Sequence, residues 1–325
     1  MAGPGGLEAA QALAAWALRF HGAAGAERRE LCCTGLAWRS VTSPLPLLNP
    51  ALPPCPAAFL EVTLWCGKGR TGVGAMLAAL PGARVVALTA GGRLAAGDLR
   101  HLPALQQLRC TLRGAASALA ELPRLERLVL TVPAAGLAGT PPSLPSLTRL
   151  TLRGAFARPQ LGTLLHAQRH QLRELWLEGL TDVMAVPPEV AGMERLTSVA
   201  IIGWAVFMQA GWSPLLAHSS RLRALQLNDC SLPAVPAAIG ELTALTRLCL
   251  AGNDRLTAGG CAPLARLTRL RQLSLAGTAM RRAPVVLVAL PALERLALPR
   301  GAAAITVGGF SLPACLPQLT VTWEL

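Results

Sequence analysis

The 325-residue chain has no tyrosine and a single lysine, Lys68. Aromatic residues make up 4% and charged residues 14%, where an average soluble domain carries roughly 25% charge. With 52% hydrophobic residues, the chain has ample apolar surface to offset ordering entropy, which excludes disorder for its bulk. No stretch of ~18 uninterrupted apolar residues occurs, so no membrane insertion is expected. The nine cysteines are odd in number and form no C-x-x-C; only Cys32 and Cys33 are close. A disulfide framework or a zinc site needs regular spacing. Buried free thiols in a reducing compartment are expected, which points to the cytoplasm, with cytoskeleton, axoneme or nucleus as alternatives. The segment from Met1 to Phe20 lacks a basic start and is interrupted by Glu8 and Gln11, which disfavours a secretory signal.

Thirty basic residues against seventeen acidic ones give a net charge of +13. Such an excess raises nucleic acid as a partner. Two features disfavour it. The near-absence of lysine, with abundant Ala, Gly, Pro and Arg, looks like GC-rich coding. The arginines are also spread along the chain, often beside an acid, as in Glu126-Arg127 and Glu294-Arg295.

A phrase with apolar spacing L-x-x-L-x-L returns through most of the chain. Examples are LPALQQLRCTL at 102–112, LPRLERLVLTV at 122–132, LTALTRLCLAG at 242–252 and LPALERLALPR at 290–300. The first apolar positions are Phe59, Ala83, Leu105, Leu125, Leu147, Leu172, Leu196, Leu222, Leu245, Leu270, Leu293 and Leu316, with a mean step of about 23 residues. Alternation of this kind marks a strand with one buried face. A single such strand cannot bury its leucines, whereas parallel stacking of one strand per turn buries a continuous column. The other half of each turn must return on the outer side. Segments 232–242 and 258–267 fit short helices or irregular turns there. The Leu-Pro opening suits the end of that return, because proline limits helix continuation.

These copies resemble the leucine-rich repeat family over residues 57–325, as about 12 repeats of about 23 residues. The resemblance implies an α/β solenoid: a curved parallel sheet with short helices or turns on the convex side. The motif's ninth position, normally Asn or Cys, is Cys230 and Asn253 here, but Thr278, Ala155 and Leu180 elsewhere. Residues 1–45 are expected as a helical N-terminal segment, with one helix over 7–20 carrying Leu13, Trp16, Ala17 and Phe20 on one face and a second over 26–39. A proline-rich linker follows at 46–56. Leu31, Cys33, Leu36, Trp38, Arg39 and Val41 resemble a degenerate F-box. That resemblance implies a substrate receptor of a cullin-type ubiquitin ligase, with Leu31, Leu36, Trp38 and Arg39 on its adaptor. The other reading of the segment is a helical cap over the first strand edge.

The third, fifth and seventh positions of each copy point to the concave face. They give a basic cluster of Arg109, Arg127, Arg149 and Arg153, then Glu174, Trp176 and Glu178, then Gln226, Asn228, Asp229, Arg247 and Arg295. Arginine and tryptophan are enriched where proteins bind proteins. Trp204, Phe207, Met208 and Trp212, in the longest repeat step, read as a hydrophobic cluster filling the outer layer.

No catalytic residue, cofactor or metal is expected. The loop CGKGRTGVG at 66–74 looks like the phosphate-binding loop of protein tyrosine and dual-specificity phosphatases, between a strand at 59–65 and a helix at 75–80. That chemistry needs five residues between the nucleophilic Cys and the Arg, but only three separate Cys66 from Arg70. Phosphatase activity is therefore a remote alternative. His166 and His170 lack the glutamate of H-E-x-x-H and read as surface residues. The expected function is a non-enzymatic protein-binding scaffold. The main alternative is a cytoskeletal or axonemal repeat protein.

Overall fold

A strand that buries every second residue must be covered on that face and paired along both edges, and stacked coils meet both needs. The computed structural model describes residues 28–33, 59–64, 85–94, 97, 99–112, 116–132, 139, 141–180, 183, 185–204, 211–300, 306–307, 310–311 and 316–324. The chain divides into two units, Met1–Leu150 and Thr151–Leu325. In the first, β1 (Arg28–Cys33), β2 (Phe59–Leu64), β3 (Val85–Leu94), β4 (Gln107–Leu112) and β5 (Arg127–Val132) pair in chain order, all parallel. Strand β6 (Arg149–Gly154) spans the division. The second unit contains β7 (Glu174–Glu178), β8 (Ser198–Ile202), β9 (Ala224–Asn228), β10 (Arg247–Cys249), β11 (Gln272–Ser274) and β12 (Arg295–Pro299). An antiparallel pair, β13 (Thr306–Val307) and β14 (Phe310–Ser311), precedes β15 (Thr320–Glu324). Strands β7 to β12 and then β15 pair in that order, all parallel.

The leucine columns sit where the spacing puts them. Leu105, Leu125 and Leu147 in the first unit, and Leu172, Leu196, Leu222, Leu245, Leu270 and Leu293 in the second, are fully buried. The next column, Leu175, Val199, Leu225, Leu248, Leu273 and Leu296, is buried in register across the second sheet. Return segments close the layer from the other side. In the second unit these are α1 (Arg158–Ala167), α2 (Ser213–Leu216) and α3 (Ala237–Gly240), with tighter three-residue turns over Pro188–Gly192, Ala258–Arg266 and Val285–Ala289. Helix α1 buries Leu161, Leu164 and Leu165, a spacing that forms one stripe.

The Leu-Pro-x-Leu phrase has a definite job. Leu105 N–H donates to Leu102 O at 3.1 Å, Leu125 to Leu122 at 3.2 Å and Leu293 to Leu290 at 3.1 Å. Each is a β-turn with Pro103, Pro123 or Pro291 second, where its fixed φ is already correct. The Thr-containing copies make the same turn: Leu245 donates to Leu242, and Leu270 to Leu267, both at 2.9 Å.

A second turn ends strands β6 to β11. Gly154, Gly179, Gly203, Gly252 and Gly277 all have positive φ, and Asp229 takes the same place at φ 54°. At Gly252 a Cβ would run into the Asp229 carboxylate. Just beyond stands the ladder position. Asn253 is fully buried. Its Oδ1 accepts from Cys230 N–H and Leu232 N–H, each at 3.1 Å, and its Nδ2 donates to Leu227 O and Leu250 O, each at 2.7 Å. One coil earlier, the Cys230 thiol donates to Asn228 O at 3.2 Å and Ile201 O at 3.4 Å. One coil later, the Thr278 hydroxyl donates to Leu275 O at 2.7 Å. Leu180, at this position earlier in the chain, is buried as an apolar plug.

The structure corrects three expectations. The helix over 26–39 is interrupted by strand β1, which pairs Leu31 with Val62 and adds a rung before Phe59. RRELCC has no helical stripe, and a parallel neighbour satisfies its backbone better. The second copy starts at Val85 rather than Ala83, because Leu88 pairs Leu108 and Ala90 pairs Cys110. Leu316 takes the place of Leu290 rather than Leu293: Leu319 N–H donates to Leu316 O at 3.0 Å, while Val321 pairs Leu296. In both cases the strand register moves by two residues, Val85 for Ala83 and Val321 rather than Leu319 opposite Leu296, which keeps the same face inward, so alternation alone does not select the register. The helix at 7–20, the linker at 46–56 and the loop at 66–74 lie outside the described residues.

His218 is a buried histidine of the return layer, donating from Nε2 to Val190 O at 2.7 Å. Burial holds its pKa below the usual histidine value, opposed by the Val190 bond and assisted by Arg221. The unfolded chain therefore takes up this proton first. The stability His218 contributes is complete above about pH 6.5, the unfolded value, and is lost as pH falls from there toward the lower native pKa. Replacing His218 with Gln keeps a donor for Val190 O. The loss of melting temperature between pH 7.5 and pH 5.5 should be smaller in that variant than in the parent. For the ladder, Asn253→Ala strands two buried N–H and two buried C=O groups. Urea unfolding should show a loss of about 3 kcal/mol or more.

Candidate binding surface

The second unit presents an outward sheet face in three rows, set by the strand pairings. The first row is Glu174, Ser198, Ala224, Arg247, Gln272, Arg295 and Thr320. The second is Trp176, Ala200, Gln226, Cys249, Ser274, Ala297 and Thr322. The third opens with Glu178, Ile202 and Asn228.

Trp176 is half-buried. Beside it Ala200 is fully covered although it faces outward, flanked in register by Trp176 and Gln226. The Trp176 indole N–H and the Asn228 Oδ1 are both buried without a hydrogen-bond partner among the described residues. Glu178 is held by Arg153, whose Nε donates to Glu178 Oε2 at 2.5 Å. From Ala200 onward the middle row is neutral, while charge gathers in the first row at the exposed Arg247 and Arg295. Asp229 does not belong to this face. It leaves the strand at positive φ, with its carboxylate over Gly252.

The expected basic cluster is not one group. In the first unit, Arg127 pairs Gln107, whereas Arg109 pairs Val129 and so stands diagonal to Arg127. Arg149 N–H donates to Glu126 O at 3.0 Å as Arg127 N–H donates to Gln106 O at 2.9 Å, which puts Arg149 in the row of Arg127. Arg153 belongs to the second unit and is ion-paired there. Of the adaptor-binding set, Leu31 lies on a strand, while Leu36, Trp38 and Arg39 are outside the described residues.

Sequence reading passed over the margin where the second unit's chain runs into its strands. One residue past each column leucine stand Arg173, Thr197, Arg223, Thr246, Arg271 and Glu294; one residue before it come Arg195, Arg221 and Arg269. All of these arginines are exposed. The signal is visible as the recurring R-L-x or x-L-R around the column leucine. The carbonyls of Arg173, Thr197, Arg223, Thr246 and Arg271 each accept two N–H groups from the next rung, as in Arg223 O from Thr246 at 2.9 Å and Arg247 at 3.0 Å, and Thr246 O from Arg271 at 2.9 Å and Gln272 at 3.0 Å. The Thr197 and Thr246 hydroxyls donate back to the preceding carbonyls of Arg173 and Arg223, at 3.3 and 3.0 Å. Acids on this margin are already engaged: Glu294 with Arg271 at 2.7 Å, and Glu194 with His170 at 3.4 Å.

His166 and His170 are exposed, with Arg169 Nη1 donating to His166 Nε2 at 2.5 Å. Among the described residues, no three His, Cys, Asp or Glu side chains gather to hold a metal ion. Trp204 and Trp212 are buried, and Phe207 and Met208 lie outside the described residues. No described helix is long and apolar enough to cross a membrane. Cys110, Cys230 and Cys261 are buried free thiols, pushed up by burial to about 12, about 11 and about 12. They stay protonated and unreactive at neutral pH. Cys249 is also free but half-exposed on the middle row. Iodoacetamide on the native protein, read by peptide mass spectrometry, should modify Cys249 at least about tenfold faster than these three, a difference that unfolding abolishes.

No family model and no curated protein matches this chain. Among solved structures it is similar to an internalin (inlF) from Listeria monocytogenes, with 20% identity over 82% of this chain and 80% of that one and a TM-score of 0.47. Buried leucine columns, one parallel strand per coil and the Cys230–Asn253–Thr278 turn ladder give the second unit the stacked-coil, parallel-sheet architecture that the leucine-rich repeat resemblance implies.

Proposed function

We propose that this chain is a non-catalytic protein-recognition scaffold whose binding surface is the outward sheet face of residues 151–325. The carrying observation is Trp176: a large, half-buried ring at the end of a row of neutral side chains, its neighbour Glu178 held by Arg153. Such a ring supplies apolar contact at low entropic cost, and the ordered carboxylate fixes its surroundings. The first row adds Arg247 and Arg295, which set orientation and encounter rate more than affinity.

A ubiquitin-ligase receptor would need paired helices within residues 7–41. Strand β1 occupies the middle of the second one, so the reading stops at a protein-binding scaffold. A cytoskeletal role has no observation behind it beyond the fold.

The test uses the full chain as bait, with retained proteins quantified by mass spectrometry. A bait carrying Trp176→Ala and Gln226→Ala, with an unchanged urea midpoint, should retain a defined subset at least about tenfold less. If every protein is retained equally by the two baits, the sheet face is not the binding surface.

A further inference from the structure

We propose that the arginine margin of the second unit is a docking track for an extended, acidic polypeptide segment in polyproline-II form, with an acid at every third residue. This rests on the protein-binding reading above and adds to it the chemistry of the partner.

The first argument is spacing. Arg173, Arg223 and Arg271 occupy alternate rungs of one column, separated by Thr197 and Thr246. Strands in a sheet stand ~4.8 Å apart, so these arginines repeat at ~9.6 Å. A polyproline-II chain has three residues per turn at ~3.1 Å each, which returns a side chain to the same side every ~9.3 Å. A β-strand repeats its faces at ~6.8 Å and an α-helix at ~5.4 Å, and neither keeps step with the column.

The second argument is charge. All six margin arginines are exposed; Arg271 is paired with Glu294 and Arg223 donates to Ala244 O at 3.1 Å, while among the described residues Arg173, Arg195 and Arg269 meet no carboxylate, so the margin keeps an excess of positive charge. Self-repulsion along such a row is relieved by an acidic partner, and each guanidinium fork suits a carboxylate. The third argument is rigidity. The doubly accepting carbonyls and the back-bonded threonine hydroxyls pin the column in place, so little order is lost when a preformed, extended ligand binds.

A nucleic acid fits less well. Each strand of duplex DNA carries a charge per ~3.4 Å, nearly three times denser than the arginine column. Glu194 and Glu294 stand on the same margin. Among the described residues, none on this margin is aromatic for bases to stack on.

The experiment measures fluorescence anisotropy of the full chain with three labelled probes at about 0.15 M salt. The probes are a repeated Glu-Pro-Pro peptide, a peptide of the same composition with its glutamates in one block, and a single-stranded thymidine oligonucleotide. The spaced peptide should bind at least about tenfold tighter than either of the others. Joint replacement of Arg173, Arg223 and Arg271 by Gln should remove at least about tenfold of that affinity, Arg195→Gln with Arg269→Gln should weaken it too, and Arg281→Gln, an exposed arginine off the margin, should leave it unchanged. Absence of spaced-peptide binding overturns the proposal. So does equal binding of the block peptide, tighter binding of the oligonucleotide, or indifference to both sets of arginine changes. If the peptide fails while the bait comparison still depends on Trp176, the scaffold reading stands and only the acidic track is lost.

Discussion

Each coil can bury its leucines only by lying in register on the coil before it, and this mutual dependence organises everything else in the protein. The fully buried columns through Leu172, Leu196, Leu222, Leu245, Leu270 and Leu293 gain apolar burial of roughly 1.5–3 kcal/mol per side chain. They gain it only while the parallel ladder holds the strands together. The ladder in turn leaves no choice about the outward residues. Once Leu225 pairs Val199 and Leu248, Gln226 must stand between Ala200 and Cys249.

Reversing the chain twice per coil carries its own constraints. The Leu-Pro-x-Leu turn has its polar groups bonded by backbone alone, whereas the turn after the strand does not. There the chain must pass through a left-handed residue, which glycine adopts without strain and Asp229 adopts at a cost. Beyond it, buried peptide groups need a side chain to receive them. Asn253 serves both the coil before and its own, because its amide is acceptor and donor at once. A thiol or hydroxyl can only do part of this, which is why Cys230 and Thr278 make fewer bonds.

The leucine columns, the Leu-Pro turns and the three outward rows were all legible in the sequence, because period-2 burial and a 23-residue repeat leave strong marks. The ends of the array were not. Around Ala83 and Leu316 the apolar residues alternate for long enough to fit two registers, and only the pairings of Leu88 and Val321 decide between them. RRELCC was ambiguous for a related reason: six residues are too few to show a helical stripe or its absence. The Arg153–Glu178 pair was within reach. The two residues lie 25 apart, one coil, and occupy the same seventh position, but a list of concave residues does not say which of them are neighbours. The glycine column was equally visible, at Gly154, Gly179, Gly203, Gly252 and Gly277. It needed the question of where each strand stops.

The two surfaces of the second unit differ in what they can hold. The sheet face is made of side chains that alternate with the core, so its relief follows residue size: a ring at Trp176, then neutral side chains from Ala200 to Thr322. That relief suits a folded partner or a side chain reaching in. The margin is different, because its positions follow the turn rather than the strand, and its backbone is already saturated with hydrogen bonds. What remains available there is long cationic side chains on a fixed pitch. A surface of that kind selects by the spacing of charge along an extended chain, and it discriminates least against partners whose charges can shift position. Selectivity on the margin must therefore come from a stiff ligand, and a stiff ligand is the kind whose pitch the sheet can match.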